Sequence, residues 1–253
     1  MVNNIVDSVL EGIFPQYCYL CRLRSHNKLP LCGECRRQLS PNSHACWRCA
    51  LPLAQPQPMA QPESLENPCQ VVLCGSCQVA PPPFDHVIAP WLYDEQLAFL
   101  LHRWKYRGDQ RLTGLLAQLL LSGIGSTMDP PDILIPVPLH WRKFWRRGWN
   151  QSELLALELR KQSPVLAKTK LATRAVQRHR ATAPQAALSA AQRRANMLGA
   201  FTVRRRCDNL RVAILDDVVT TGATAAAMAN ALLDAGASGV ELWCIARTPE
   251  PQE

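Results

Sequence analysis

Beyond about residue 84 the apolar positions fall into two alternating rhythms. Short unbroken runs, such as Val212 to Leu215 within RVAIL, suit strands buried on both faces of a parallel sheet. Longer stretches repeat with helical spacing. The expected helices run from about Asp94 through Tyr106, along RLTGLLAQLLLSG, along SELLALELRKQ with Ser152 as its cap, and along AAAMANALLDAG up to Gly236. The expected strands are DHVIAPWLY (an extended segment), DILIPVP, VLAKTKLATRA, AFTV and SGVELWCIAR, the last with Cys244 as a core residue. Strands and helices alternating in this way predict an α/β domain, a mainly parallel sheet with helices on both faces. Its ligand site belongs where the carboxyl ends of the strands meet.

The stretch RVAILDDVVTTGAT organises that domain. A buried strand ends in two adjacent carboxylates, Asp216 and Asp217, and a turn of Thr220, Thr221, Gly222, Ala223 and Thr224 leads into a helix. Free N–H groups and the positive helix end suit a phosphate, and Gly222 lets the backbone come close. The two acids would repel that phosphate, so they should face sugar hydroxyls or a magnesium ion shared with the ligand.

The first 80 residues follow neither rhythm. They hold nine of the 11 cysteines, eight of them in C-x-x-C pairs: Cys18 with Cys21, Cys32 with Cys35, Cys46 with Cys49, and Cys74 with Cys77. Two such knuckles complete a tetrahedral Cys₄ zinc site, so four imply two zinc ions. Sequential pairing groups Cys18, Cys21, Cys32 and Cys35 on one ion and Cys46, Cys49, Cys74 and Cys77 on the other; crossed pairing also satisfies the spacing. Cys69 is a ninth thiol, a bystander or a substitute ligand. No βαβ pattern surrounds the pairs, which argues against a redox dithiol. With few apolar residues to hold it, the module reads as a metal-stapled scaffold. Residues 51–68, rich in Pro and Gln, form an exposed excursion inside it, and Pro81, Pro82 and Pro83 form a stiff spacer. The domains expected are thus 1–80 and 84–253.

Charge sharpens the picture. The chain carries a net +8, with 6 Lys/Arg against 8 Asp/Glu in residues 1–100 and 22 against 12 in the remainder. A basic carboxyl-terminal part points to a phosphate-bearing partner. The densest patch, LHWRKFWRRGWNQ, sets Arg142, Lys143, Arg146 and Arg147 among Trp141, Phe144, Trp145 and Trp149. The three Trp recur every four residues, as one helical face would space them; that stripe is either a packed core or a stacking platform. A second basic group, Arg178, Arg180, Arg193 and Arg194, flanks a small-residue connection able to move. The chain start carries acids and no basic leader, and no apolar run reaches spanning length, so a cytoplasmic protein with reduced thiols and no membrane span is expected.

The acid pair followed by TTGAT resembles the phosphoribosyl-pyrophosphate (PRPP) motif of type I phosphoribosyltransferases. The blocks PVPLHWRKFWRRGWNQSELLA, QRHRATAPQAALSAAQRRANMLGAF and VAILDDVVTTGATAAA, with the Cys-rich start, resemble the ComF/GntX family of competence and DNA-utilisation proteins. The resemblance implies a double zinc ribbon on a phosphoribosyltransferase fold. It implies that Asp216 and Asp217 hold the ribose, that Thr220, Thr221, Gly222, Ala223 and Thr224 hold the 5-phosphate, and that Mg²⁺ accompanies PRPP. Two functions follow from different classes. One is a phosphoribosyltransferase, with Arg142, Arg146 or the Arg178–Arg194 connection on the pyrophosphate. The other is a non-enzymatic protein that binds single-stranded DNA or proteins of the DNA-uptake machinery, its PRPP pocket a sensor or relic. The acceptor-recognising hood of an enzyme is not identifiable in the sequence.

Overall fold

The structure is a computed structural model that describes residues 16–25, 29–54, 71–125, 129–139, 145, 147–179 and 200–250. Its centre is an all-parallel sheet of five strands in the order β1-β9-β7-β3-β4, namely β1 (His86–Ile88), β9 (Gly239–Trp243), β7 (Arg211–Leu215), β3 (Ile133–Pro136) and β4 (Lys170–Leu171). A second parallel sheet joins β2 (Trp91–Leu92), β10 (Ala246–Arg247) and β8 (Val218–Val219). An antiparallel pair, β5 (Val176–Arg178) with β6 (Phe201–Val203), stands apart.

The unbroken apolar run of β7 has a direct cause, because the sheet is covered on both sides. Ala213 and Leu215 face one apolar cluster with Leu134 and Trp243. That cluster is filled by α3 (Glu95–Tyr106), α4 (Leu112–Leu121) and α5 (Gln151–Gln162). Val212 and Ile214 face the other, with Ile133, Ile135, Leu242 and the buried stripe Ala225, Met228, Ala229 and Leu232 of α7 (Ala223–Asp234). Side chains alternate across a strand, so every position of β7 meets a layer.

Local chemistry sets the helix starts. The Asp94 carboxylate accepts from Leu97 N at 2.8 Å to open α3. At α5 the cap is Asn150 and not Ser152: its side-chain oxygen accepts from Ser152 N at 3.1 Å, and Ser152 is buried inside the first turn. The segment VLAKTKLATRA is not a continuous strand. Ser163 caps a single turn with Pro164 at its start, α6 (Pro164–Ala167), and only Lys170 and Leu171 pair with β3. SGVELWCIAR is likewise two strands, because the chain leaves β9 at Cys244 and enters the second sheet at Ala246; Cys244 is buried, as expected. DHVIAPWLY divides between the same two sheets, as β1 and β2.

The cysteine-rich segment lies against both layers. It carries two one-turn helices, α1 (Gly33–Arg37) and α2 (Gly75–Val79). Cys18, Leu31, Cys35 and Leu39 belong to the cluster that holds α3 and α4. Ala50 belongs to the cluster on the α7 side. Polar links reinforce the packing. Ser40 N donates to the Asp94 carboxylate at 2.9 Å, and Asn42 Nδ2 donates to the Ala50 and Ala89 carbonyls at 2.9 and 3.1 Å. Among the described residues no helix is long and apolar enough to cross a membrane.

Candidate functional site

The acid pair sits at the carboxyl end of β7, the second-sheet strand β8 follows directly, and α7 begins four residues after Val219. Asp216 N donates to the Trp243 carbonyl at 2.9 Å, which holds the chain in line with the neighbouring strand β9. Asp216 Oδ1 accepts from Asp217 N at 2.8 Å, and Asp217 Oδ1 accepts from Val218 N at 2.7 Å. Both carboxylates are thereby fixed by the backbone that follows them.

Their environments differ. Asp217 Oδ2 lies 2.7 Å from Lys105 Nζ, an ion pair in which the side chains are 16 % and 18 % exposed. Burial would lower the Lys105 pKa, yet the charges of Asp217 and Asp216 hold it above its ordinary value. Asp216 is pushed up to about 7, first by burial and then by the charge of Asp217; the Asp217 N–H, Lys105 and Arg178 oppose the rise. One acid is neutralised by a lysine and the other is poised near neutrality. Lys105 is a site residue that sequence reasoning missed. In the sequence it is one polar position of the helix that ends at Tyr106, and only the fold brings α3 to the end of β7.

The turn from Thr220 to Thr224 has the form an anion site needs. Gly222 takes φ 73°, a left-handed conformation that glycine adopts without strain, and stands at the start of α7 with no side-chain cap. Thr221 Oγ1 accepts from Ala223 N at 3.4 Å, and Thr220 and Thr221 are exposed. Gly222 itself offers no side chain to cap the helix, whose positive end follows the acid pair within a few residues of chain.

The expected cationic residues divide. Arg147 lies with its guanidinium 4.7 Å from the centroid of the Tyr106 ring, and its Nε is buried without a hydrogen-bond partner among the described residues. With Lys105, Tyr106, Gly108 and Trp149 it lines a cavity of about 480 Å³. Lys105 thus belongs to both the acid pair and this cavity. Arg178 ends β5, with its guanidinium 5.6 Å from the Phe201 ring; burial lowers its pKa, and the charge of Asp216 acts against that. Arg142, Lys143, Arg146, Arg180, Arg193, Arg194 and Trp141 lie outside the described residues. The Trp stripe splits: Trp149 packs edge-on against the buried Trp104 at 5.8 Å, whereas Trp145 is 82 % exposed.

Two groups of four cysteines come together as the sequential pairing requires, Cys18, Cys21, Cys32, Cys35 and Cys46, Cys49, Cys74, Cys77, each with all sulfurs within 4.8 Å of one another. Four thiolates at about 2.3 Å from a tetrahedral zinc stand about 3.8 Å apart. The Cys21–Cys32 and Cys49–Cys74 sulfur separations are both 3.7 Å. Burial would raise the Cys18 thiol, but the N–H groups of Cys21, Cys32 and Leu20 lower it to about 7; those of Cys74, Cys49 and Arg48 do the same for Cys46. The two clusters fit two structural zinc ions. Cys69 and most of the 51–68 excursion lie outside the described residues.

Comparison with known proteins agrees with this layout. Residues 9–78 match the family model of the double zinc ribbon domain. The DNA utilization protein YhgH of Salmonella typhimurium is 34% identical over 240 residues, which cover 92% of this chain and 98% of that protein. YhgH of Escherichia coli (strain K12) is 32% identical over the same shares. Competence protein F of Haemophilus influenzae is 30% identical over 247 residues, 94% of this chain and 100% of that protein. The solved purine phosphoribosyltransferase from Pyrococcus horikoshii Ot3 overlaps 56% of this chain and 75% of its own, at 19% identity and a TM-score of 0.30, too loose a likeness to bear on chemistry.

Proposed function

Since the chain belongs to the family of the DNA utilization protein YhgH and competence protein F, we propose that it is a DNA-utilisation protein whose 84–253 domain, of phosphoribosyltransferase type, binds PRPP. Asp216 and Asp217 take the ribose hydroxyls, and Thr220, Thr221, Gly222, Ala223 and Thr224 take the 5-phosphate. Lys105, Arg147 and Arg178 are the described cations positioned to balance the pyrophosphate, with Arg142, Lys143, Arg146, Arg180, Arg193 and Arg194 as further sequence candidates. Magnesium would arrive with the pyrophosphate oxygens, the acid pair being the carboxylates nearest to hand. The 1–80 module serves as scaffold, and the protein works in the cytoplasm.

The observation that carries this reading is the sequence of features along one turn: two backbone-fixed acids at the end of the central strand, then an uncapped helix start entered through a left-handed glycine. An ordinary strand-turn-helix would need neither a lysine-paired second acid nor a first acid raised toward neutrality. Calorimetry with PRPP and Mg²⁺ tests it. The wild type should bind, and the Asp216→Asn/Asp217→Asn double variant should lose at least about a hundredfold in affinity, since two charged hydrogen bonds of about 1.5–3 kcal/mol each are removed, while still melting cooperatively, at a lower temperature because Lys105 loses its partner. Equal binding by the two proteins refutes the role given to these acids.

A second reading has its own support. Trp145 is exposed and stands two residues before Arg147, whose guanidinium lies over the Tyr106 ring; an exposed aromatic beside a cation is what a stacking platform for single-stranded DNA requires. Here the PRPP pocket is a sensor, and the same titration with a short single strand separates the two. Under this reading, changing Arg142, Lys143, Arg146 and Arg147 to Gln flattens the salt dependence of DNA binding.

A further inference from the structure

Arg247 occupies an unusual place for a cation. It lies in β10 at 7 % exposure, and its guanidinium donates to four main-chain carbonyls, none of them a carboxylate. Nε donates to the Cys49 carbonyl at 3.1 Å. Nη1 donates to the Val219 carbonyl at 3.3 Å, to the Thr248 carbonyl at 2.7 Å and to the Thr220 carbonyl. Cys49 is a ligand position of the second cysteine cluster, and Val219 and Thr220 lead into the phosphate loop. A planar fork with donors on two sides can hold both carbonyl groups at once; a lysine ammonium cannot span them in that way.

Packing repeats the link. Ala50 and Phe84 share one apolar cluster with Val219 and Ala225. Arg48 Nη1 holds the Phe84 carbonyl at 3.0 Å. The Phe84 ring comes within 3.9 Å of where a side chain on Gly222 would begin. The first cluster packs instead into the layer of α3 and α4.

We propose that Arg247 is a positioning residue that couples the second zinc knuckle to the phosphate loop. Metal held by Cys46, Cys49, Cys74 and Cys77 fixes the Cys49 carbonyl, and that carbonyl orients the guanidinium. The guanidinium in turn fixes the Thr220 carbonyl and the turn that presents the N–H groups of α7. Coupling of this kind is reciprocal, so a ligand on the loop tightens metal binding at the second cluster. The ligand half rests on the function proposed above; the mechanical half does not.

Hydrogen exchange of the Thr220–Thr224 amides in the zinc-loaded full chain, without ligand, tests the mechanical half. Cys77→Ser and Arg247→Lys should each speed exchange about tenfold or more, because local opening becomes easier, whereas Tyr19→Phe, beside the first cluster, should change it less than about twofold. Equilibrium competition for zinc with a chelator, with and without PRPP and Mg²⁺, tests reciprocity: saturating ligand should tighten zinc binding at the second cluster in the wild type and leave it unchanged in Arg247→Lys. An arginine with a merely structural role would leave that ligand effect intact. If Cys77→Ser fails to fold, Arg247→Lys, with every cysteine intact, decides. Loop exchange in Arg247→Lys within about twofold of the wild type overturns the coupling. Failure of PRPP to bind the wild type overturns the functional reading instead, and the exchange result still stands on its own.

Discussion

The two cysteine clusters have the same ligands and the same knuckle spacing, yet the protein uses them differently. Cys18 and Cys35 of the first are members of the main apolar cluster, packed with Leu31 and Leu39 in the layer of Leu97, Leu100 and Trp104. Cys46, Cys74 and Cys77 of the second form a small cluster of their own with Leu51, Leu53 and Leu73 around them. One cluster is part of the foundation of the α/β domain; the other is a satellite linked through Arg247 to the Thr220–Thr224 turn. Identical metal chemistry therefore does not imply identical roles, and the difference lies in what the surrounding side chains bury.

The largest effect expected from that contrast is on cooperative folding. A structural zinc site is worth on the order of 10–16 kcal/mol of apparent binding energy, comparable to the whole stability of a domain. Cys18→Ser should therefore abolish the cooperative melt of the full chain. Cys77→Ser should leave a cooperative melt of the α/β core, measured by circular dichroism. Equal losses in the two variants would erase the distinction between the clusters.

Leu39→Ala should come next. Leu39 is 2 % exposed inside the shared cluster, so its truncation should cost about 2–5 kcal/mol in denaturant unfolding and shift the ribbon and the α/β core together. Two separate transitions would show that the first cluster is not part of the foundation.

A smaller effect concerns pH at the site flanked by the second cluster. Asp216 is raised to about 7 in the folded chain against roughly 3.9 unfolded. The folded state therefore retains a proton that the unfolded state has lost. Stability contributed by protonated Asp216 is fully present below about pH 4 and declines as pH rises through about 7. Binding that needs the ionised acid runs the other way: affinity for PRPP and Mg²⁺ should rise roughly tenfold from pH 6 to 8, beyond any rise left in Asp216→Asn, which corrects for titration of the ligand itself.

Tyr19→Phe is the mildest probe. Tyr19 OH donates to Asp109 Oδ1 at 3.0 Å, beneath the Arg103 guanidinium. Burial would raise the Asp109 pKa, yet hydrogen bonds from Arg111, Tyr19 and Arg103 hold it below the usual carboxylate range. With two arginines remaining, loss of the phenol should cost about 1 kcal/mol and leave exchange of the Thr220–Thr224 amides unchanged.

Much of this layout is readable from residue patterns, for definite reasons. β7 is legible because burial on both faces demands an unbroken apolar run, and the clusters are legible because zinc fixes knuckle spacing. The break of the last strand at Cys244 is not, since the chain changes sheets through an apolar Cys-Ile step with no turn residue. The start of α5 is ambiguous in sequence because Asn150 and Ser152 are both good caps, and only the backbone geometry selects the first. The Trp stripe could not be divided into a packed Trp149 and an exposed Trp145 without knowing where Trp104 lies. Lys105 and Arg247 are the clearest losses. Neither stands in a sequence pattern that marks a site, and each acquires its role only when a distant segment supplies the partner.

Whether the acid pair and the loop beside it form a PRPP site is decided by a crystal structure of the zinc-loaded chain with PRPP and Mg²⁺. The ribose hydroxyls should lie at Asp216 and Asp217 and the 5-phosphate on the N–H groups of residues 221–224. A ligand bound elsewhere, or an acid pair left in contact with Lys105 and water alone at saturating PRPP, would contradict that proposal.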